Sequence, residues 1–292
     1  MEHRSLINDN DSDLMRQLIA SLSNQVSITD FEEFIQLKSV RQNTRLWFEE
    51  CLLIAFAYVD DFNNLCFEIA PGKSNPVLES EIIDWGVECM RKMMEQSGEI
   101  APLDSSCSAQ NRARIELLER MGFIQQEIRS LKFARSLNDP IPEFLLPTGY
   151  SIRSVNGEGE VAQLVGLHRA AFGTDHMTEE YRLAMMHAPD YDQTMDWVAV
   201  APDGNLAAFC IGSIDEEDPT IGYLDPIGTH PDHRRIGLSA AMIAYGLSFL
   251  QHRGIKNVHF GTSSENTPMR ELALRTGFSL QSESVWFSRE VI

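Results

Sequence analysis

Two segments of this chain carry the same punctuation one domain length apart. Asn111 is followed eleven residues later by Gly122-Phe123, and Asn266 by Gly277-Phe278 at the same interval, with 155 residues separating the two asparagines. Each segment reads as a polar helix start, about three turns of amphipathic helix, and a Gly-Phe exit into a strand. A repeat of that period in 292 residues restricts the chain to two domains of similar size built on one element order. Between them lies Ser136–Gly149, with Pro140, Pro142 and Pro147, the composition of a linker. Domains are therefore expected at 1–137 and 150–292, joined by a linker at 138–149.

Hydrophobic periodicity fills in the order on each side. In the first half, helices are expected at 11–24 and 28–40, strands at 45–50, 51–59 and 65–70, and a long helix at 77–95. A weak strand near Ile100, a helix at 111–121 and a strand at 123–134 follow. In the second half a strand at 150–154 precedes helices at 160–171 and 178–186. A hairpin of 196–201 with 206–214 turns on Pro202-Asp203-Gly204. Then come a strand at 220–229, a helix at 237–251, a strand at 256–261, a helix at 267–276 and a last strand at 285–291. The fold class is α/β (mixed α+β).

The formal charge is −19, spread over both halves. That disfavours nucleic acid and anionic membrane as partners and is compatible with a cationic substrate. No run approaches the roughly 20 apolar residues of a membrane span, and the start MEHRSLINDNDSD lacks the apolar core of a signal peptide. The five cysteines are odd in number and follow no CxxC spacing. A cytoplasmic setting with free thiols is expected, and no metal site, because no histidine joins a cysteine at ligand spacing.

Chemistry concentrates in Asp225–Leu250. A strand ends at His230-Pro231, a short turn carries Arg234-Arg235-Ile236-Gly237-Leu238-Ser239, and an apolar helix follows. Free N–H groups and the positive end of a helix dipole suit an anion there, with two arginines beside it. The competing reading is an ordinary strand-to-helix connection that uses Gly and Arg for geometry. The turn is neither a P-loop nor the dinucleotide fingerprint, since no GxxxxGK[ST] occurs and no GxGxxG opens a helix here.

At this point the second half, from about Leu146 to Ile292, resembles the GNAT superfamily of N-acetyltransferases. The turn Arg234 to Ser239 matches that family's Gln/Arg-x-x-Gly-x-Gly/Ala pyrophosphate motif, with Ser239 in place of the usual small residue. Ile227 through Arg234 matches the approach strand with its His-Pro-x-x-Arg ending. Asn266 through Gly277-Phe278 matches the late helix. The first half resembles the same fold without the signature: its equivalent turn is Pro71-Gly72-Lys73-Ser74-Asn75-Pro76. The resemblance thus implies two tandem GNAT folds, each a mixed central sheet with helices on both faces, the N-terminal one degenerate.

It further implies acetyl-CoA as cosubstrate, with pantetheine entering between strands 220–229 and 256–261. Ile227 and Thr229 would pair with the pantetheine. Arg234 and the N–H groups of Arg235, Ile236, Gly237, Leu238 and Ser239 would hold the pyrophosphate, and Asn266 would contact the cosubstrate. The acceptor would be a primary amine of a small molecule, attacking the thioester directly. The Tyr that often protonates the departing thiolate falls at Ala273 here. For the base, Asp225 is the first candidate; it either takes the ammonium proton or, preceding Pro226, shapes a bulge. Tyr223, two residues earlier on the same strand, either lines the acceptor site or packs in the core. His230 and His233 flank the turn, and His168 and His176 lie on the acceptor side. Trp197 reads as core, and the acidic run Asp215–Asp218 as either a solvated loop or a lure for a cationic acceptor. The competing class is a non-catalytic acyl-CoA-binding or scaffold protein; a monomer or homodimer is expected.

Overall fold

The structure is a computed structural model that describes residues 2–22, 28–189, 191–215 and 218–292. Two compact units divide the chain: Met1–Arg129 with Glu283–Ile292, and Ser130–Ser282. This differs from a division at 1–137, 138–149 and 150–292, because residues 138–149 fall inside the second unit. The strand at 124–136 is shared between the units, and the C-terminal residues from Glu283 belong with the first.

The first unit opens with β1 (Glu2–Ser5), α1 (Asp9–Ala20), α2 (Ile28–Ile35) and α3 (Lys38–Gln42), then β2 (Thr44–Glu49), β3 (Leu52–Val59) and β4 (Leu65–Ile69). These strands form an antiparallel sheet in the order β1–β2–β3–β4. The expected helix at 28–40 is two helices with a break before Lys38, and residues 23–24 of the expected first helix lie outside the described residues. Next come α4 (Pro76–Ser97), β5 (Leu103–Ser108), α5 (Arg112–Arg120) and β6 (Ile124–Ser136). The weak strand placed near Ile100 lies at β5 instead; Ile100 itself is exposed.

Helix α4 shows why these residues fold as they do. Asn75 caps its first turn, Pro76 occupies a position that needs no N–H donor, and Gly98 ends it in the left-handed conformation with φ 75°. Leu78, Ile82, Ile83, Val87 and Met90 form one buried stripe, each burial contributing about 1.5–3 kcal/mol. Their core also takes Val285, Phe287 and Val291 from the C-terminus.

The second unit contains β7 (Ser151–Ser154), α6 (Val161–Phe172), α7 (Glu179–Met186), β8 (Asp196–Val200), β9 (Leu206–Ile214), β10 (Ile221–Thr229), α8 (Leu238–His252), β11 (Asn257–Ser263) and α9 (Thr267–Arg275). Its sheet runs β7–β8–β9–β10–β11–β6, the last supplied by Ser130–Ser136. All neighbours are antiparallel except β10 and β11. Alternation along β8 and β9 builds two cores. Trp197, Ala199, Ala208 and Cys210 pack with α8, while Val198, Phe209 and Ile211 pack with α6 and α7. Gly246 of α8 lets the helix close onto the sheet: a Cβ there would meet Leu224 at 2.8 Å and Trp197 at 3.1 Å. Strand β12 (Ser279–Arg289) begins earlier than expected, and from Glu283 it pairs antiparallel with β5 in the first unit. The order from β1 to β6 recurs from β7 to β12, except that three α-helices precede β2 and two precede β8; β1 is the strand that periodicity missed.

Candidate active site

The central feature of the second unit is a parallel pair that comes apart. Strands β10 and β11 match at Ile221↔Asn257, Gly222↔Val258 and Tyr223↔His259, and there the ladder ends although both strands continue. Each diverging strand stays anchored on its outer side. Ile227, Gly228 and Thr229 pair with Cys210, Phe209 and Ala208, and Gly261, Thr262 and Ser263 pair with Lys132, Leu131 and Ser130. The stretch of β10 around Ile227 thus keeps a wedge-facing edge for an extended ligand, while the Gly261 N–H and the Thr229 carbonyl are already bonded within the unit. A bulge between Leu224 and Ile227, containing the cis peptide Asp225–Pro226, bends β10 away at this point.

Asp225 stands at the mouth of the wedge. Its carboxylate accepts the Gly261 N–H at 2.9 Å, bridging the two strands where they part. Tyr223, the other candidate, directs its hydroxyl elsewhere. The Tyr223 hydroxyl donates to Asp215 at 2.8 Å, back toward the start of β10, and its ring lies 5.4 Å from the Lys132 ammonium. Gly228 has no room for a side chain: a Cβ would press into the Phe209 ring and reach Ala171 at 3.0 Å.

Beyond Thr229 the chain makes a short 3₁₀ turn, Pro231–His233, and enters α8 through Gly237, whose φ is 86°. Arg235 is also left-handed at 64°, and Arg234 through Gly237 are exposed. No side chain caps α8, and its first internal bond runs from Ala241 N–H to the Gly237 carbonyl. The N–H groups of Leu238, Ser239 and Ala240 therefore have no acceptor within the helix, and they carry the positive end of its dipole. The two arginines differ. Arg234 turns inward, donating to the Thr229 carbonyl at 3.1 Å and to the Ala171 carbonyl at 2.6 Å. It staples the end of β10 to the end of α6. A 2.8 Å hydrogen bond between the Thr229 and Ser239 hydroxyls ties strand to helix.

Asn266 caps α9, accepting the Met269 N–H at 3.2 Å. Ala273 is fully buried in the core. His230 accepts the Asp232 N–H at 3.3 Å, and Nδ1 of His233 shares a 2.8 Å hydrogen bond with the Tyr150 hydroxyl, so both histidines brace the turn. Glu216 and Glu217 of the acidic run lie outside the described residues; Asp218 caps the following turn through Thr220.

On the opposite face of the sheet, a small apolar pocket adjoins the bulge, lined by Leu164, His168, Met177, Arg182, Phe209 and Pro226. His168 lies against Phe172 and Phe209, with centroids at 4.6 Å and 5.5 Å. Burial, with the neighbouring Arg182 charge, pulls its pKa down to about 4, so it is neutral at pH 7. Arg182 is itself buried and ion-paired with the fully buried Asp196, which also accepts the Tyr191 hydroxyl at 2.8 Å. Burial pushes the Asp196 carboxyl up, against the pull of Arg182. Among the described residues, His168 Nδ1 and Arg182 Nε are buried without a hydrogen-bond partner. Periodicity marked neither Arg182 nor its pairing, because a helix residue and a strand residue meet only after folding. Among the described residues no group of three His, Cys, Asp or Glu could hold a metal ion, and no helix is long and apolar enough to cross a membrane.

Residues 161–278 match the model of the Acetyltransferase (GNAT) family. Curated relatives include the mycothiol acetyltransferase of Arthrobacter sp., 28% identical over 155 residues that cover 50% of this chain and 48% of that one. Another is that of Salinispora tropica, 30% identical over 158 residues covering 52% of each. The chain thus spans about half the length of the curated relatives it matches. Among solved structures, a GCN5-related N-acetyltransferase from Sphaerobacter thermophilus superposes with a TM-score of 0.74 at 19% identity, covering 99% of this chain and 95% of that one. A tandem GNAT protein from the clavulanic acid biosynthesis pathway superposes with a TM-score of 0.71 at 15% identity, covering 100% and 98%. The fold is that of the GNAT structures on which it superposes, a tandem one among them, and the second half of the chain is similar, over residues 161–278, to the GNAT acetyltransferase family.

Proposed function

We propose that the second unit transfers the acetyl group of acetyl-CoA to the primary amine of a small molecule by direct attack. The observation that carries this reading is the wedge between β10 and β11, which opens toward the uncapped, exposed start of α8. The wedge offers strand-like hydrogen bonds to the pantetheine through Ile227 and Thr229. The N–H groups from Arg235 to Ser239 receive the diphosphate, with the exposed Arg235 beside it. Arg234 acts one step back, fixing Thr229 and the turn. Asn266, placed as the cap of α9, lines the route from the opposite strand.

Acetyl-CoA supplies an activated thioester carbonyl. The amine must arrive neutral; its nitrogen bonds to that carbon, the C–S bond breaks, the ammonium loses a proton, and the thiolate gains one. The Thr229 N–H stands nearest to polarise the carbonyl. Asp225, at the mouth of the wedge, takes the proton directly or through water. With Ala273 in the core, the thiolate draws its proton from solvent. The pocket behind Pro226, apolar apart from His168 and Arg182, forms the wall against which the acceptor lies.

Ala273 also favours the second reading, a domain that binds acyl-CoA without turnover. Calorimetry with acetyl-CoA, on wild type and on Arg235→Glu/Gly237→Asp, followed by thiol release over a panel of amines, separates the two. Binding lost in a folded variant, with thiol release on an amine, supports transfer. Binding without thiol release supports the scaffold. Undiminished binding by the variant refutes the proposed cradle.

A further inference from the structure

The first unit contains the same parting pair. The residue before β4 meets β5 in the isolated parallel bridge Asn64↔Asp104, where Asp104 N–H donates to the Asn63 carbonyl at 3.0 Å, beside a Ser105 hydroxyl bond to the Leu65 carbonyl at 2.8 Å. The bridge corresponds to Tyr223↔His259, the last pair before the wedge of the second unit. The two caps fix the rest of the correspondence. Asn111 accepts the Arg114 N–H at 3.1 Å and Asn266 accepts the Met269 N–H at 3.2 Å, so Arg114 stands where the second unit has Met269.

That one difference decides what the wedge holds. Met269 packs on its core. Arg114 instead crosses to β4, donating to the Phe67 carbonyl at 2.8 Å and to the Glu68 carboxylate at 3.2 Å, with its guanidinium 3.8 Å from the centre of the Phe67 ring. Phe67 lies three residues beyond Asn64; Ile227 lies four beyond Tyr223, the extra residue being the bulge. The Phe67 carbonyl therefore occupies the place offered to pantetheine in the second unit, and a side chain of this protein already bonds to it.

The anion end is filled as well. Asn75 accepts the N–H groups of Val77 and Leu78 at 3.1 Å each, whereas α8 has no side-chain cap. The buried Glu79 sits in the first turn of α4, bonded to Ser74 and to Arg120, and its charge opposes a phosphate there.

We propose that the first unit is a self-liganded copy of the cosubstrate site. Arg114 replaces pantetheine, Asn75 and Glu79 replace the diphosphate, and the chain binds a single acetyl-CoA. This rests on the reading of the β10–β11 wedge as the acetyl-CoA site, and one experiment keeps the two apart. Hydrogen exchange of the full chain is followed at residues 65–70 and 225–230, with and without acetyl-CoA. At ligand about 100 times its dissociation constant, exchange at 225–230 slows by up to about a hundredfold while 65–70 is unchanged. No slowing at 225–230 removes the functional reading; slowing at 65–70, or two molecules per chain by calorimetry, removes this one.

The variant Arg114→Met/Glu68→Gln gives the wedge the second unit's residue and removes the charge left behind. In it, exchange at 65–70 rises, and free pantetheine, which needs no diphosphate cradle, slows it again. A folded variant that still binds acetyl-CoA at 225–230 but shows no pantetheine effect at 65–70 overturns the role of Arg114. If the variant does not fold, the wild-type exchange pattern and stoichiometry still decide.

Discussion

Gly228→Ala tests the junction on which the site is built. The new methyl group points into the Phe209 ring and at Ala171, 3.0 Å away, and neither neighbour can step aside. Phe209 is buried between His168 and Phe172, and Ala171 belongs to the end of α6 that Arg234 holds to β10. Relief has to come from moving β10 or the end of α6. Overpacking of this kind costs about 1–3 kcal/mol, which for a chain of this size lowers the melting temperature by about 2–10 °C. Because β10 carries Ile227 and Thr229, acetyl-CoA affinity should fall as well. Gly166→Ala is the control: it lies inside α6 on an exposed face with nothing within 4 Å of its Cβ, so it should stabilise by about 0.5–1 kcal/mol. Thermal melts with and without acetyl-CoA read both. A Gly228→Ala protein that melts and binds like wild type would show that β10 and α6 are not in the close contact described.

Asp225→Asn keeps an acceptor for the Gly261 N–H but not a base, whereas Asp225→Ala loses both; if Asp225 takes the ammonium proton, Asn lowers kcat by about 10²–10⁴-fold with little change in melting, and equal kcat for Asn and wild type excludes the role. The His168 imidazole should titrate near pH 4 by NMR. Its folded pKa lies below the unfolded value, so its contribution to stability is whole above pH about 6.5 and is lost as pH falls through about 4. Urea midpoints should drop more steeply over that window for wild type than for His168→Phe. Asp196→Ala strands the buried Arg182 and should cost about 3–5 kcal/mol, most of it recovered in Arg182→Met/Asp196→Leu; a loss under 1 kcal/mol in the single variant would mean that the pair is not buried as described.

The parts legible in the sequence were those written locally. Asn111 and Asn266 both cap helices, and Gly237 stands in the left-handed conformation at the start of α8, which suits its lack of a side chain. What could not be read depends on partners distant in the chain. Strand β1 is short, polar and mostly exposed, and it is a strand because Glu2–Ser5 pair with Arg45–Phe48. Arg234 and Arg235 look alike in sequence and both are exposed, yet Arg234 folds back onto two carbonyls while Arg235 takes the left-handed backbone conformation. Tyr223 alternates with Asp225 on paper, but the bulge after Leu224 and the pull of Asp215 separate their polar groups. In the first half, the missing Arg-x-x-Gly pattern was visible, while the Arg114 bond to Phe67 joins residues 47 apart and has no local signature.

The sharing of terminal strands sets the order in which the molecule can be finished on the ribosome. The first unit lacks Val285, Phe287 and Val291, and the partner of β5, until residues 283–292 have emerged. Domains synthesised first commonly fold first; here the N-terminal unit is completed after the second. Severing the chain at the prolines near 140 would separate Ser130–Ser136 from β11 and the C-terminal strand from β5. The natural fragment boundary is thus no single peptide bond, and removing residues 283–292 damages the unit that holds the N-terminal sequence.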